Sequence, residues 1–528
     1  MRVLLLLACL APAALAGTPQ WGVWEERFTA KAEGSTLRVQ AHIIRPDAGI
    51  FEVSAFWDGG REWVIRWTPD VPGKWGYELL SSDPDLNGKE GTFEVDPAPG
   101  RGMLQLSKDR RRLEYEDGAP FFWLADTAWN GAIRSTDEEW ARYIADRKAK
   151  GFTAVQFVMT QWRAAPDAGA FTAGPPLQVN PEFFRRLDRR FAALYEAGLV
   201  AVPVLLWAIG STDGPDPGFS LPTDEAVHLA RYMVARYSAY RVVWMLGGDG
   251  DYRGEKAEKW KQIGREVFPP LAFRRAVTMH PQGMQWPWEA FENERWLDLL
   301  TYQSGHGNNA KSRAWNAVEA GKLAASLAIP RPVINAEPNY ETHLDYHDRK
   351  PISDFQVRRA AYWSLLAHPT AGITYGAHGI WFWSRKPEVP TAHDRTGVAM
   401  PWWESLDLPG ARQMKILREV FDSIPWWQLE PDPDLVAERP DDPAFLRYAG
   451  AARTTPGDVA LLYLPDNPEV MVRLERLKAP VQVQWIDPRT GRRQDGDRLP
   501  NKGVQKFERP AEGDWLLLLD GRTTAFRP

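Results

Sequence analysis

The sequence predicts a multidomain α/β protein in which a central (β/α)8 TIM barrel is flanked by an N-terminal and a C-terminal β-sandwich. Three observations carry that reading. The chain has 528 residues, more than one ordinary core can use, and a (β/α)8 barrel accounts for about 250. The period of the apolar residues changes along the chain: short alternating runs up to Pro97, strand–loop–helix units from Met103 to Trp427, and short alternating runs again to the end. The middle stretch divides into eight units, the number that closes a barrel rather than leaving an open sheet.

The first residues read as a secretory signal. Arg2 supplies the positive start, Val3 to Leu15 is apolar, and Ala14-Leu15-Ala16 fits a small-x-small cleavage site before Gly17. The expected division is therefore a signal peptide over 1–16, a sandwich over 17–97, a barrel over 103–427 and a second sandwich over 428–528. The mature chain is expected to be secreted or periplasmic. The signal's apolar run is shorter than the roughly 20 residues of a membrane span, and no comparable run follows, so no span is expected. The only cysteine, Cys9, lies inside the signal, so cleavage leaves no thiol and no disulfide. The alternative takes Leu6-Leu7-Ala8-Cys9 as a lipoprotein box with a lipid anchor on Cys9, against which stands the very short apolar stretch before it. The formal net charge of -5 and the absence of a Lys/Arg run argue against nucleic acid as a partner.

In the first sandwich, strands are expected at Leu37 to Ile44, Phe51 to Trp57, Trp63 to Trp67 and Thr92 to Val95, with a hairpin turn at Asp58-Gly59-Gly60. Pro97 to Gly102 reads as a linker between a sandwich that packs on the barrel and the barrel itself. The barrel strands are expected at Phe121 to Ala125, Ala154 to Met159, Val200 to Trp207, Val242 to Leu246, Ala276 to Met279, Leu297 to Tyr302, Pro332 to Ala336 and Gly372 to Tyr375. Between them lie helices with readable ends: Thr136 with Glu139 forms a capping box, Asn180 caps a helix that opens on Pro181 and stops at Gly198, Thr223 starts a third, and Ser353 or Asp354 another running to His368. After Trp427, strands are expected at Phe445 to Tyr448, Val459 to Leu464, Val481 to Trp485 and Trp515 to Leu519, with a turn at Asp487 to Gly491.

The active site of such a barrel lies at the C-terminal ends of its strands. The polar and aromatic residues expected there are Asp126 and Trp129 after strand one, Gln161 and Trp162 after two, Trp207 after three, Asp249 and Asp251 after four, and His280 after five. Tyr302 and His306 follow strand six, Glu337 and Tyr340 strand seven, and His378, Trp381 and Trp383 strand eight. Two carboxylates across one mouth are what glycoside hydrolysis requires, because one protonates the leaving oxygen while the other attacks or activates water at the anomeric carbon. Glu337 and Asp249 meet that demand. Glu337 leaves its strand in Asn335-Ala336-Glu337-Pro338; Asp249 follows Gly247 and Gly248, which permit a close backbone approach and unusual dihedrals. Their separation is expected at about 5 to 6 Å, with Asp126 pointing into the same cleft as a sugar-hydroxyl ligand.

The 26 Trp suggest sugar stacking. Trp67, Trp75, Trp260 and Trp485 read as core, whereas Trp129, Trp162, Trp207 and Trp383 are candidates to line the site. Gln161, His280, Tyr302, Tyr340 and His378 complete the candidate substrate-binding set. The nine His are scattered, with no His-Glu-x-x-His helix and, after signal cleavage, no Cys, so a catalytic zinc is poorly supported. No Gly-x-Ser-x-Gly elbow, P-loop or dinucleotide fingerprint is evident, and no cofactor is expected.

Trp21-Gly22-Val23-Trp24-Glu25, Phe56-Trp57-Asp58-Gly59-Gly60, Phe122 to Trp129, Gly247-Gly248-Asp249-Gly250, Asn335-Ala336-Glu337-Pro338 and Tyr375 to Trp381 together resemble the apiosidase-like glycoside hydrolases over nearly the whole chain. The resemblance implies a retaining barrel hydrolase of plant or algal polysaccharide side chains, with Asp249 as acid/base and Glu337 as nucleophile. It also implies a C-terminal β-domain of the kind named for collagen binding, a name not read as function here. The wider clan of retaining barrels places Asn-Glu at the end of strand four, where this chain has Gly248-Asp249. The shorter Asp requires the leaving oxygen to approach that strand more closely. Substrate identity does not follow, because loops set specificity. A non-catalytic carbohydrate-binding or adhesion protein and an exo-glycosidase acting on a pyranoside stay open as alternatives, as does the oligomeric state.

Overall fold

The computed structural model describes residues 17–34, 37–160, 169–210, 216–269 and 275–522. The chain divides into two compact units, Met1–Gly102 and Met103–Pro528. The expected signal, Cys9, Gln161 and Trp162 lie outside the described residues. Among the described residues, no helix is long and apolar enough to cross a membrane.

The first unit holds a five-stranded and a three-stranded sheet. Alternation decides its inner face: Val39, Ala41 and Ile43 are buried while their neighbours are not. The inner faces meet through aromatic rings, with Trp24 stacked on Phe93 at 4.0 Å and Phe51 on Trp67 at 5.1 Å. The run expected as one strand, Phe51 to Trp57, is divided. Ile50–Ser54 belongs to the larger sheet and Phe56–Trp57 to the smaller, so the chain changes sheets at Ala55. Trp24–Thr29 and Gly73–Ser81 are strands not anticipated from the sequence. The hairpin turn forms where expected, Glu62 N donating to Gly59 O at 2.9 Å.

In the second unit eight parallel strands form a nearly closed barrel: β1 Trp123–Thr127, β2 Ala154–Val158, β3 Val200–Trp207, β4 Trp244–Gly250, β5 Val277–Pro281, β6 Leu300–Gln303, β7 Val333–Glu337 and β8 Gly372–Gly376. The ladder runs β5-β4-β3-β2-β1-β8-β7-β6. Between β5 and β6 the Thr301 hydroxyl donates to the Met279 carbonyl, and Leu299 N reaches Val277 O at 3.4 Å. Trp123, Ala125, Val158, Val202, Val204, Met245, Ile334 and Ala336 fill the interior, so the barrel is a packed core. Several strands, β4 above all, run further toward their C-terminal ends than the apolar runs indicate. Residues expected just beyond a strand therefore sit on its last rungs, where the pleat decides which way they point.

Helix α1, Asp137–Ala149, opens on the expected capping box: Thr136 Oγ1 accepts from Glu139 N at 3.2 Å and Glu139 Oε2 accepts from Thr136 N at 2.9 Å. Thr136→Ala is expected to destabilise the unit by about 1 kcal/mol, read as a lower urea midpoint with unchanged slope. Helix α2, Pro181–Ala197, has Pro181 in its first turn and ends on Gly198 at φ 79, but Asn180 does not cap it. Its amide donates instead to Gly169 O at 3.0 Å, tying the preceding loop. Helices α3, Thr223–Tyr237, and α4, Lys256–Val267, follow β3 and β4; α5, Asp354–Ala367, opens on a Ser353–Gln356 capping box.

Residues 429–520 form a six-stranded and a three-stranded sheet, the larger of which packs on α5. Arg358 grips Asp514 bidentately at 2.9 and 2.8 Å, and Tyr362 stacks on Tyr463 at 4.9 Å. Val459–Leu464, Val481–Ile486 and Trp515–Asp520 are strands as expected. Phe445 to Tyr448 is not a strand: Phe445 has φ 56, left-handed backbone that breaks an extended run.

Candidate active site

Glu337 is the last residue of β7. Ile334 and Ala336 point inward, so simple alternation would send Glu337 outward with Asn335. The ladder is irregular there: Tyr302 pairs with Asn335 but Gln303 pairs with Glu337, one residue on β6 against two on β7. This bulge turns the Glu337 carboxylate into the mouth, where His280 Nε2 lies 3.0 Å from Oε2 and His306 Nε2 2.9 Å from Oε1. The Tyr340 N–H points at His306 Nδ1, 3.3 Å away, so that nitrogen carries the lone pair and Nε2–H donates to Glu337. Burial alone would raise the Glu337 carboxyl. The bonds from His280 and His306 outweigh it and hold the group well below the usual carboxylate range.

Asp249 lies on the last turn of β4, half-buried, with φ 46. Left-handed backbone at a residue with a side chain is strained and is held only where its surroundings impose it. Here the β4–β5 register shifts twice between Met245 and Gly250. The glycines before it serve close approach: a Cβ on Gly248 would fall 2.4 Å from the Trp207 ring. The unusual dihedral expected of the glycines belongs to Asp249 itself. Gln303 Nε2 donates to Asp249 Oδ1 at 2.7 Å and fixes the carboxyl plane, and Gln303 is also the ladder partner of Glu337. Tyr346 lies within reach of both charges. Tyr346 is 40% exposed, yet its partly buried surroundings, with the Glu337 and Asp249 charges among them, shift its phenol upward.

Trp129 and Trp207 meet edge to face at 5.3 Å, and Trp129 lies 5.3 Å from the His280 ring, so these three form a floor beneath the two acids. Tyr340 joins it, packed on His306 at 4.4 Å. Burial and then the Glu337 charge raise its phenol well above normal.

Other candidates are placed elsewhere. Asp126 does not face the cleft. It sits within β1 on the side opposite Ala125, fully buried, accepting from Tyr143 Oη at 2.7 Å and Arg147 Nε at 2.6 Å of α1. It pins helix to strand, and Asp126→Asn is expected to lower stability by about 3–5 kcal/mol, by urea unfolding, with KM unchanged. Tyr302 also points away, against Trp315 at 5.4 Å and His368 at 6.0 Å, and Asn335 turns to Ser304, Asn316 and Ser364. Trp383 is buried behind the mouth, stacked on Trp402 at 4.8 Å with its Nε1 donating to Glu139. His378 is buried beside Trp381 and bonded to Thr396; burial lowers it to about 3, so it is neutral. Asp251 pairs at the surface with Arg253 and Lys256.

Gln303 and Tyr346 were not singled out from the sequence, and His306 was noted only as a mouth residue. Gln303 follows Tyr302 directly, so the parity of β6 selects one of the two, and the bulge selects Gln303. Among the described residues, no group of three or more His, Cys, Asp or Glu side chains is arranged to hold a metal ion.

The model described as "Apiosidase-like, catalytic domain" matches residues 107–428. A model named for collagen binding in a collagenase matches residues 431–520, and a domain of unknown function, DUF5060, residues 17–82. A solved structure described as a glycoside hydrolase superposes with a TM-score of 0.70 at 25% identity, covering 80% of this chain and 98% of its own. Two proteins of Bacteroides vulgatus share the fold. One, described as a family 5 glycoside hydrolase, has a TM-score of 0.69 at 24% identity over 80% of this chain and 93% of its own. The other, a glycoside hydrolase by its description, has 0.71 at 18% over 95% and 99%. No curated protein matches the chain significantly. Because the catalytic-domain match takes in every barrel strand together with Asp249 and Glu337, the chain belongs to the apiosidase-like family of glycoside hydrolases.

Proposed function

We propose that this chain is a secreted, retaining glycoside hydrolase that cleaves glycosidic bonds in plant or algal polysaccharide side chains as an apiosidase-like furanosidase, with Glu337 as nucleophile and Asp249 as acid/base. The observation that carries the reading is the environment of Glu337: a buried carboxylate at a barrel mouth, kept ionised by two imidazole N–H donors. The structural acid Asp126 is held instead by an arginine ion pair. A nucleophile must be ionised to attack, and both histidines favour that form.

In this mechanism Glu337 attacks the anomeric carbon as the bond to the leaving oxygen breaks, and Asp249 gives that oxygen its proton. Water then attacks the glycosyl ester, Asp249 takes a proton from it, and Glu337 leaves as carboxylate. Gln303 orients Asp249 throughout, while the buried pair Trp129 and Trp207 backs the mouth. The test is incubation with pectin and algal polysaccharides, with released monosaccharides identified and the first-formed anomer followed by NMR. Release of a side-chain sugar of retained configuration is expected. An inverted product, or no release from any of them, would overturn the proposal.

A further inference from the structure

Behind the loop after β6 lies a small recess whose lining includes Ser304, Ser312, Arg313, Asn339, Arg359 and Trp363. None of its lining side chains is acidic. Arg359 is 4% exposed, yet it has no carboxylate within ion-pair distance among the described residues. Its Nη2 donates to Asn308 Oδ1, and its guanidinium lies 5.2 Å from the Phe355 ring and 5.1 Å from Trp363. Arg313 also lacks an ion pair, giving Nε to Ala444 O at 2.8 Å and Nη1 to Asn308 O. Arg359 Nε and Nη1 and Arg313 Nη2 have no acceptor among the described residues. Burial lowers Arg359 to about 10, with Tyr463 and Asp514 raising it in part and Arg313 lowering it, while Asp442 and Asp345 act on Arg313 from beyond ion-pair distance.

Two guanidiniums line one acid-free recess, one of them buried and neither ion-paired, so the recess presents positive charge that an anion would offset. The Ser304 hydroxyl accepts from Asn335 Nδ2 at 2.9 Å, so its own proton is available to a ligand as well. We infer that this recess is a binding site for a small monovalent anion, chloride being the type, held by Arg313 and Arg359. Both cations and all the lining donors suit an acceptor, and the confined space suits one small ion better than a sugar. The recess shares the Ser304–Gly307 loop with His306 of the mouth but is lined by neither Asp249 nor Glu337, and the inference stands whether or not that pair is catalytic.

The experiment is to soak crystals of the full chain in sodium bromide and collect at the bromine absorption edge, beside thermal melts in sodium chloride, bromide and gluconate at equal ionic strength. An anomalous peak between Arg313 and Arg359 is expected, with a Tm about 2 °C higher in either halide than in gluconate. Arg313→Gln, at a half-buried position that should tolerate the change, is expected to fold and to lose both signals; Arg359→Gln should lose them too where it folds. No anomalous peak in the recess, or a peak with equal Tm in halide and gluconate, would overturn the inference and leave water as the occupant.

Discussion

Glu337→Gln is expected to abolish turnover of every substrate, by at least about 10⁴-fold in kcat, whereas Asp249→Asn retains measurable activity on aryl glycosides whose leaving group needs no proton. The two acids are distinguished by their surroundings. Glu337 receives an N–H on each oxygen, a setting that stabilises negative charge and fits the nucleophile. The amide replacement removes the attacking charge and opposes its own NH2 to one of those donors, so both electronic and geometric reasons forbid the covalent step. Asp249 is held by one neutral amide from Gln303 and by a strained backbone that aims it across the mouth. Removing its proton affects only steps that need one, so the loss must grow with the pKa of the leaving alcohol. Azide should partly restore Asp249→Ala, attacking the glycosyl ester without base assistance and giving a glycosyl azide of retained configuration. Kinetics of both variants over a leaving-group series, with the azide product assigned by NMR, check this. Near wild-type activity in Glu337→Gln would end the double-displacement reading.

The barrel was legible because its strands are apolar runs bounded by glycine, proline and capping residues, and the local signals agreed with one another. The direction of individual side chains was not legible. Asp126 follows the run Phe122-Trp123-Leu124-Ala125, and nothing in composition tells that β1 continues through Thr127 and so turns this acid outward to Arg147. Trp383 comes after a short helix, His378–Phe382, whose left-handed end folds it back onto α1. For Glu337 the outward-facing answer of plain alternation would have been wrong, since a bulge intervenes, and bulges have no reliable sequence mark. The two acids themselves were readable because each is an acid at the C-terminal end of an apolar barrel strand, where the active site of this fold lies, although Asp126 shows that the position alone does not separate a catalytic acid from a structural one. Their supporting groups, Gln303 and His306, come from a loop and a strand end, where only the three-dimensional register assigns a role.

That register leads to the second large effect, on pH dependence. His306→Ala removes one of the two donors that keep Glu337 ionised while leaving the burial that favours its neutral form. A hydrogen bond to a charged group is worth about 1.5–3 kcal/mol, or about 1–2 pKa units. Wild-type Glu337 is held below the ordinary range, so it is ionised over the whole usual assay range. Losing the donor raises its pKa, and the acid limb of kcat/KM moves to higher pH by that amount. Because the wild-type carboxyl lies so far below the usual carboxylate range, the loss should be confined to the acid end of the profile and vanish as pH rises, because a higher pH restores the charge. Stability follows the same sign. A depressed carboxyl stabilises the fold above its unfolded value of about 4.3 and loses that contribution as pH falls through the folded value. The variant should therefore give up part of its advantage at neutral pH and depend less on acid. His306→Gln, which offers an amide N–H near the position of Nε2, is expected to return the acid limb toward the wild type. His280→Ala should act in the same direction, because His280 serves the other oxygen. If His306→Ala lowers kcat/KM equally at every pH and Gln does not rescue it, His306 serves packing against Tyr340 and His343 and does not set the charge on Glu337.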